Sequence, residues 1–326
     1  MANKIEVFTM KGINMDKVSY NGWPNCVRIS NGSVELIITT DVGPRIIRYG
    51  FIGQENELYE FSDQAGKTGG DEFRLYGGHR LWLAPEKKDL TYFPDNSTVD
   101  YETDNDTLRL IPRIEDTTGV QKELLITLNQ DDGSVKMVHK VTNRSSRSIE
   151  LAPWSISMMA PGGFGIIPQE PYSPHPDIPD YPGQVIDTKY YLPVRTMVLW
   201  SYTNLSDHRL QFMPKYITLK QDKNTTRPIK LGLSNSLKWA AYARNRHLFI
   251  KTFPYDSEAA YPDNGCNFEI FTDNKFMEIE SLGALGTLPA GKSVIHEEDW
   301  LLFDNVDVDQ TEESIDASVL PKVFAD

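Results

Sequence analysis

The chain is 326 residues long, 40% hydrophobic and 24% charged, a globular balance that excludes wholesale disorder and suits one large all-β domain or two average ones. Its formal net charge of −13 repels polyanions at long range, which argues against nucleic acid or an anionic membrane surface as partner and leaves neutral polyols open. No apolar run approaches the length of a membrane span.

Met1 to Met10 mixes Lys4 and Glu6 among apolar side chains and lacks the uninterrupted apolar core of a signal peptide, so a cytoplasmic location is expected. Cys26 and Cys266 match no metal-ligand spacing and read as two reduced, partly buried thiols.

In chain order, short β-branched or aromatic runs alternate with Gly, Pro, Asn and Asp, the pattern of many strands joined by tight connections. Residues 34–40 and 45–49 predict two strands split by Asp41-Val42-Gly43-Pro44. The series continues at 108–114, 122–128, 134–142 and 149–159. In 134–142 the two-residue period puts His139 on one face with Val135, Met137 and Val141, which marks it as a core histidine. Eight of the 20 prolines fall in 161–193. Proline lacks the ladder donor, so this stretch predicts a long loop of the lid or binding kind. Strands resume after Tyr216 at 229–233, 239–243, 247–253, 267–272, 276–282 and 294–303, and the acidic tail after Asp304 predicts a solvated, partly helical end. With no internal repeat or linker, residues 1–326 are expected to form a single domain.

Two clusters carry the candidate chemistry. Residues 267–280 read as a hairpin turning at Asp273-Asn274, which sets Glu269 opposite Glu278 and Asn267 opposite Glu280, all on one sheet face. Carboxylates so crowded repel one another and push one pKa upward, which suits proton exchange near neutrality. In the second cluster, Gly77 and Gly78 let the backbone turn sharply before His79, Arg80 and Trp82, an imidazole, a guanidinium and an indole that suit the hydroxyls and C–H faces of a sugar. Arg45, Arg48, Trp154, Asp207, Arg209, Lys230 and Lys251 are further candidates that matter only if they converge; Asp207 can equally pair with Arg209. The sequence has no phosphate-binding glycine loop, no nucleophile elbow and no histidine pair at metal-ligand spacing, so no cofactor and no metal is expected.

The run Phe276-Met277-Glu278-Ile279-Glu280-Ser281-Leu282-Gly283, followed by Leu288-Pro289-Ala290-Gly291-Lys292 and Glu298-Asp299-Trp300, resembles the last strands of galactose mutarotase-like proteins. Gly77-Gly78-His79-Arg80 is similar to that superfamily's glycine-led, sugar-contacting segment, and the strand reaching Trp154 is similar to the one that ends in its catalytic histidine. The resemblance implies an all-β supersandwich of large twisted antiparallel sheets, with Glu280 as general base and Arg80 as a sugar contact. Trp154 stands where the histidine is expected, so the resemblance leaves the general acid unassigned; His79 is the candidate for that role.

Three functions follow as expectations. The first is an aldose 1-epimerase-like isomerase using Glu280 and His79, with Arg80, Arg45, Trp82, Trp154, Asp207, Arg209, Glu269 and Glu278 holding the substrate. The second is a sugar binder without turnover, and the third a glycoside hydrolase using a carboxylate pair such as Glu269 and Glu280. In each the partner is a sugar or short oligosaccharide, and the protein a monomer or homodimer.

Overall fold

The computed structural model describes residues 8–10, 12–172 and 192–324. Two antiparallel sheets, of twelve and ten strands, dominate it. No helix among these residues is long and apolar enough to cross a membrane.

The twelve-stranded sheet starts at Phe8–Met10 and runs through successive neighbours to Arg45–Phe51 and His79–Ala84. It then continues with strands from later in the chain, in the order Ile149–Met159, Met277–Leu282, Phe268–Thr272, Ile229–Leu233 and Met197–Leu199. Pro153 lies within Ile149–Met159 without breaking the sheet. On one side that strand pairs Gly286–Leu288 through Leu151 and Met277–Leu282 from Trp154 onward, so the proline falls in the gap between partners.

The ten-stranded sheet packs against the first, and the inward-facing residues of both form the main core, which includes Ile46, Tyr49, Leu81, Met137, Phe249, Ile279 and Trp300. Alternation predicts this arrangement, since each strand gives every second side chain to the interior. The strands expected at 34–40, 45–49, 122–128, 134–142, 149–159 and 229–233 are all present, and His139 is fully buried.

Two expectations need correction, and two strands had no counterpart among the expected ones. The 161–193 loop contains a strand, Phe164–Pro168, placed inside the ten-stranded sheet between Tyr216–Lys220 and Trp239–Arg244. Its prolines flank or end the apolar Gly165-Ile166-Ile167 run, so no ladder donor is lost within it; residues 173–191 of that loop lie outside the described residues. The tail after Asp304 does form helices, Glu312–Ser318 and Leu320–Val323, but Ile315 and Val319 are fully buried against Tyr216, Trp239 and Leu248. Strands Ile13–Tyr20 and Trp23–Ser30 were not anticipated, because Asp16, Lys17, Asn25 and Arg28 interrupt their apolar residues.

The turn before His79 depends on glycine. Gly78 has φ +72°, and a Cβ there would overlap the Ile46 carbonyl oxygen. Its own N–H donates to Tyr59 O at 2.8 Å. Gly78→Ala therefore combines left-handed strain with a backbone clash and is expected to destabilise the fold by about 2–4 kcal/mol in chemical denaturation; a loss below about 0.5 kcal/mol would contradict this reading of the turn.

Candidate functional site

Three adjacent strands, His79–Ala84, Ile149–Met159 and Met277–Leu282, present opposite chemistry on their two faces. Register aligns His79 with Ser157 and Ile279, and Arg80 with Ile156 and Glu280. By alternation His79, Ser155, Ser157, Ile279 and Ser281 face the second sheet, whereas Arg80, Trp82, Trp154, Glu278 and Glu280 lie on the outer face.

On that outer face opens a cleft of about 560 Å³, within the range of small-molecule sites. Arg80, Trp82, Trp154, Lys230 and Glu278 line it, together with Phe73, Tyr92, Trp200, Tyr202, Phe271 and Phe276. Arg80 stacks on the Trp82 ring, 4.0 Å from its centroid, and Trp82 meets Trp154 edge to face.

The hairpin pairs Glu269 with Glu280 and Phe271 with Glu278, not Glu269 with Glu278 as the sequence suggests. Thr272 pairs Met277, so the turn spans four residues, and Asp273 Oδ1 accepts from Lys275 N and Phe276 N. The register moves by two, and a shift of two keeps every side chain on its face. The three glutamates therefore still share the outer face.

Their roles separate by solvation. Glu269 and Glu280 are fully buried, and Lys230 Nζ sits between them, 2.6 Å from Glu269 and 3.1 Å from Glu280. Trp154 Nε1 donates to the same Glu280 oxygen at 2.8 Å. Burial opposes the Lys230 charge, but Glu280 and Glu269 outweigh it and raise its pKa, so Lys230 stays cationic. Burial drives the Glu269 pKa well above the ordinary carboxylate value, against the pull of Lys230. Glu278 lines the cleft with 13% of its side chain exposed and lies 3.5 Å from Arg80. Burial, reinforced by the charge of Glu280, raises its pKa to about 7. Burial likewise lowers Arg80 to about 10.

His79 is not across the cleft from Glu280, as a general acid would need to be. It is fully buried on the inner face, with Nδ1 2.9 Å from Ser157 Oγ and Nε2 2.8 Å from His139 Nε2. His139 Nδ1 donates to the His296 carbonyl, so its Nε2 accepts from His79 Nε2–H, and His79 Nδ1 accepts from the Ser157 hydroxyl. Burial lowers the pKa of both rings and keeps them neutral. Beside them Glu298 accepts from Ser155, Ser281 and Trp300 Nε1 and pairs with Lys251 at 3.0 Å. Donor atoms of His79, His139 and Glu298 lie within 4.8 Å of one another, a spacing a metal could span, but these hydrogen bonds already engage all three residues.

Arg45, Asp207 and Arg209 do not join the cleft lining. Arg45 is buried, donating to Gly77 O and pairing with Asp95 at 2.8 Å, which braces the glycine turn. Arg209 and Asp207 form a two-bond pair, both bonds 2.9 Å, because their spacing on one short segment lets the guanidinium fold back on the carboxylate. The sequence reading missed Phe73, Tyr92, Trp200 and Tyr202, which come from loops without a repeating pattern; the recurrence of aromatic residues outside strands was the available signal.

The fold is that of galactose mutarotase-like proteins. A galactose mutarotase-like protein from Lactobacillus casei superposes with a TM-score of 0.54 at 12% identity, covering 86% of this chain and 100% of that one. A proposed mutarotase from Salmonella typhimurium gives 0.54 at 9% identity, with 92% and 97% covered. A proposed aldose 1-epimerase from Escherichia coli gives 0.50 at 13% identity, with 85% and 98% covered. No protein-family model and no curated protein sequence matches the chain. At these identities the likeness establishes the architecture, two large antiparallel sheets, as the resemblance implied.

Lys230→Met removes the cation between two buried carboxylates and is expected to cost about 3–5 kcal/mol of stability at pH 7. With Lys230 gone, the folded-state pKa of Glu269 rises further above its unfolded value, so the deficit shrinks as pH falls and Glu269 takes up a proton. Denaturation of the variant between pH 5 and 8 checks this; a deficit independent of pH would contradict it.

Proposed function

We propose that the outer-face cleft binds a saccharide and that Glu278 exchanges the proton of its anomeric hydroxyl, an aldose 1-epimerase-like reaction. One observation carries this reading: a carboxylate with a pKa of about 7 opens into an aromatic-lined cleft beside a guanidinium. Aromatic faces suit the C–H surfaces of a pyranose, and Arg80 and Lys230 supply donors for its oxygens.

In the proposed reaction the Glu278 carboxylate takes the anomeric hydroxyl proton, the bond between C1 and the ring oxygen breaks, and C1 becomes a carbonyl carbon. The ring oxygen takes a proton from water in the open cleft, with its developing charge met by the Lys230 ammonium. Rotation about C1–C2 and reversal of these steps closes the ring on the other face and returns the proton. Glu278 replaces Glu280 as base in this scheme because Glu280 is fully buried and already bonded to Trp154 and Lys230.

A second reading, saccharide binding without turnover, is favoured by the cleft lining, which among the described residues includes no histidine; His175 lies outside them. Anomeric exchange of several aldoses followed by NMR separates the two. The enzyme reading predicts acceleration that rises with pH through about 7 as Glu278 loses its proton, and a loss of about 10²–10⁴-fold in Glu278→Gln. Saturable binding with no acceleration would establish the binder instead, and the absence of both would overturn the saccharide reading.

A further inference from the structure

Resting on the saccharide reading, we infer that the cleft selects sugars bearing a protonated amine over neutral sugars and excludes phosphorylated ones.

The argument is a charge count within one site. Among the described residues, Arg80 and Lys230 are the cations lining the cleft, and Glu86 and Glu278 are its lining carboxylates. Glu269 and Glu280 lie directly beneath, joined to Lys230. Four carboxyl groups thus share the site with two cations, and both cations are matched already. Lys230 is shared between two carboxylates, and Arg80 has Glu278 at 3.5 Å. A phosphate would have to compete for these cations while approaching Glu86 and Glu278, and like-charge approach in a partly desolvated cleft is costly.

The second observation concerns groups with no partner. Glu269 Oε1 and Glu280 Oε1 are buried and accept no hydrogen bond. Buried acceptors usually find donors, and two orphaned carboxyl oxygens in one cluster mark an excess of acceptors over donors. Above them Trp154 and Trp200 flank Lys230, each ring centroid 4.8 Å from Nζ. The exposed Tyr202 and half-buried Trp82 and Tyr92 offer further electron-rich faces to a ligand cation. An ammonium on a sugar ring would find a carboxylate at Glu278 or Glu86 and aromatic faces around it, where a hydroxyl would find only the hydrogen bond.

The test uses glucosamine and galactosamine, the corresponding neutral hexoses and the corresponding hexose 6-phosphates, titrated into the intact protein at pH 7 by calorimetry and saturation-transfer NMR. The amines are expected to bind roughly five- to tenfold tighter than the neutral sugars, the effect of one charge pair that is partly screened, and the 6-phosphates not to bind. Glu86→Gln is expected to narrow the preference for the amine, and an unchanged denaturation midpoint shows that the variant is folded. Equal affinity for amine and neutral sugar, or phosphosugar binding as tight as neutral, would overturn the inference and leave the saccharide reading standing. Binding of none of these sugars would sink both.

Discussion

The arrangement of the cleft depends on one ammonium group. Lys230 projects from its strand onto Glu269 of the next and Glu280 of the one beyond, and Glu280 in turn accepts from Trp154 on a fourth. One cation therefore ties four consecutive strands together on the outer face. A buried ion pair repays its desolvation only when its geometry is good, and losing one partner leaves an uncompensated charge. The aromatic rings of Trp154 and Trp200, each centroid 4.8 Å from the ammonium, add their own attraction. The same bonds occupy Glu280, which leaves Glu278 as the central-strand carboxylate that meets solvent in the cleft.

The inner face of the same strands is held by a second polar network. Lys251 donates to the carbonyl of Ile279, the residue between Glu278 and Glu280, and pairs with Glu298. Burial alone lowers the Lys251 pKa, while Lys251 holds Glu298 well below the usual carboxylate range despite complete burial. Ser281 and Ser155 bind Glu298, and Ser157 binds His79, so each of the three central strands is tied to this network. Polar groups in a sandwich core fix register more sharply than apolar packing, because a slipped strand would leave every one of them unpaired. The cleft thus stands on strands clamped from behind, a rigid support for the outward-facing side chains.

Much of this was legible in the sequence, for a physical reason. Residues 34–39 and 45–51 are rich in β-branched and aromatic side chains, and their strands appear where expected. Grouping Glu269, Glu278 and Glu280 on one face required only parity, which survived a wrong turn length. What parity does not give is depth. Glu280 and Glu278 are indistinguishable by pattern, yet one is sealed by Trp154 and Lys230 and the other borders the cleft, a difference made by strands distant in sequence. His79 and Arg80 failed as a pair for the opposite reason. Adjacent residues on a strand point to opposite faces, so the motif that looked like one cluster supplies one residue to each side of the sheet.

The contrast between the two cleft-side ion pairs accounts for the raised pKa of Glu278. Lys230 holds its partners at 2.6 and 3.1 Å with two indole rings 4.8 Å from its ammonium, whereas Arg80 meets Glu278 at 3.5 Å while its guanidinium stacks on Trp82. The stacking fixes the guanidinium plane for the ring and not for a two-bond contact with the carboxylate, so the attraction falls short of what burial removes. Glu280, two residues along the same strand and on the same face, adds repulsion. A looser pair with a like charge nearby is how a folded protein keeps a carboxylate near its midpoint at neutral pH, and here the strand alternation and the Trp82 stack together produce it.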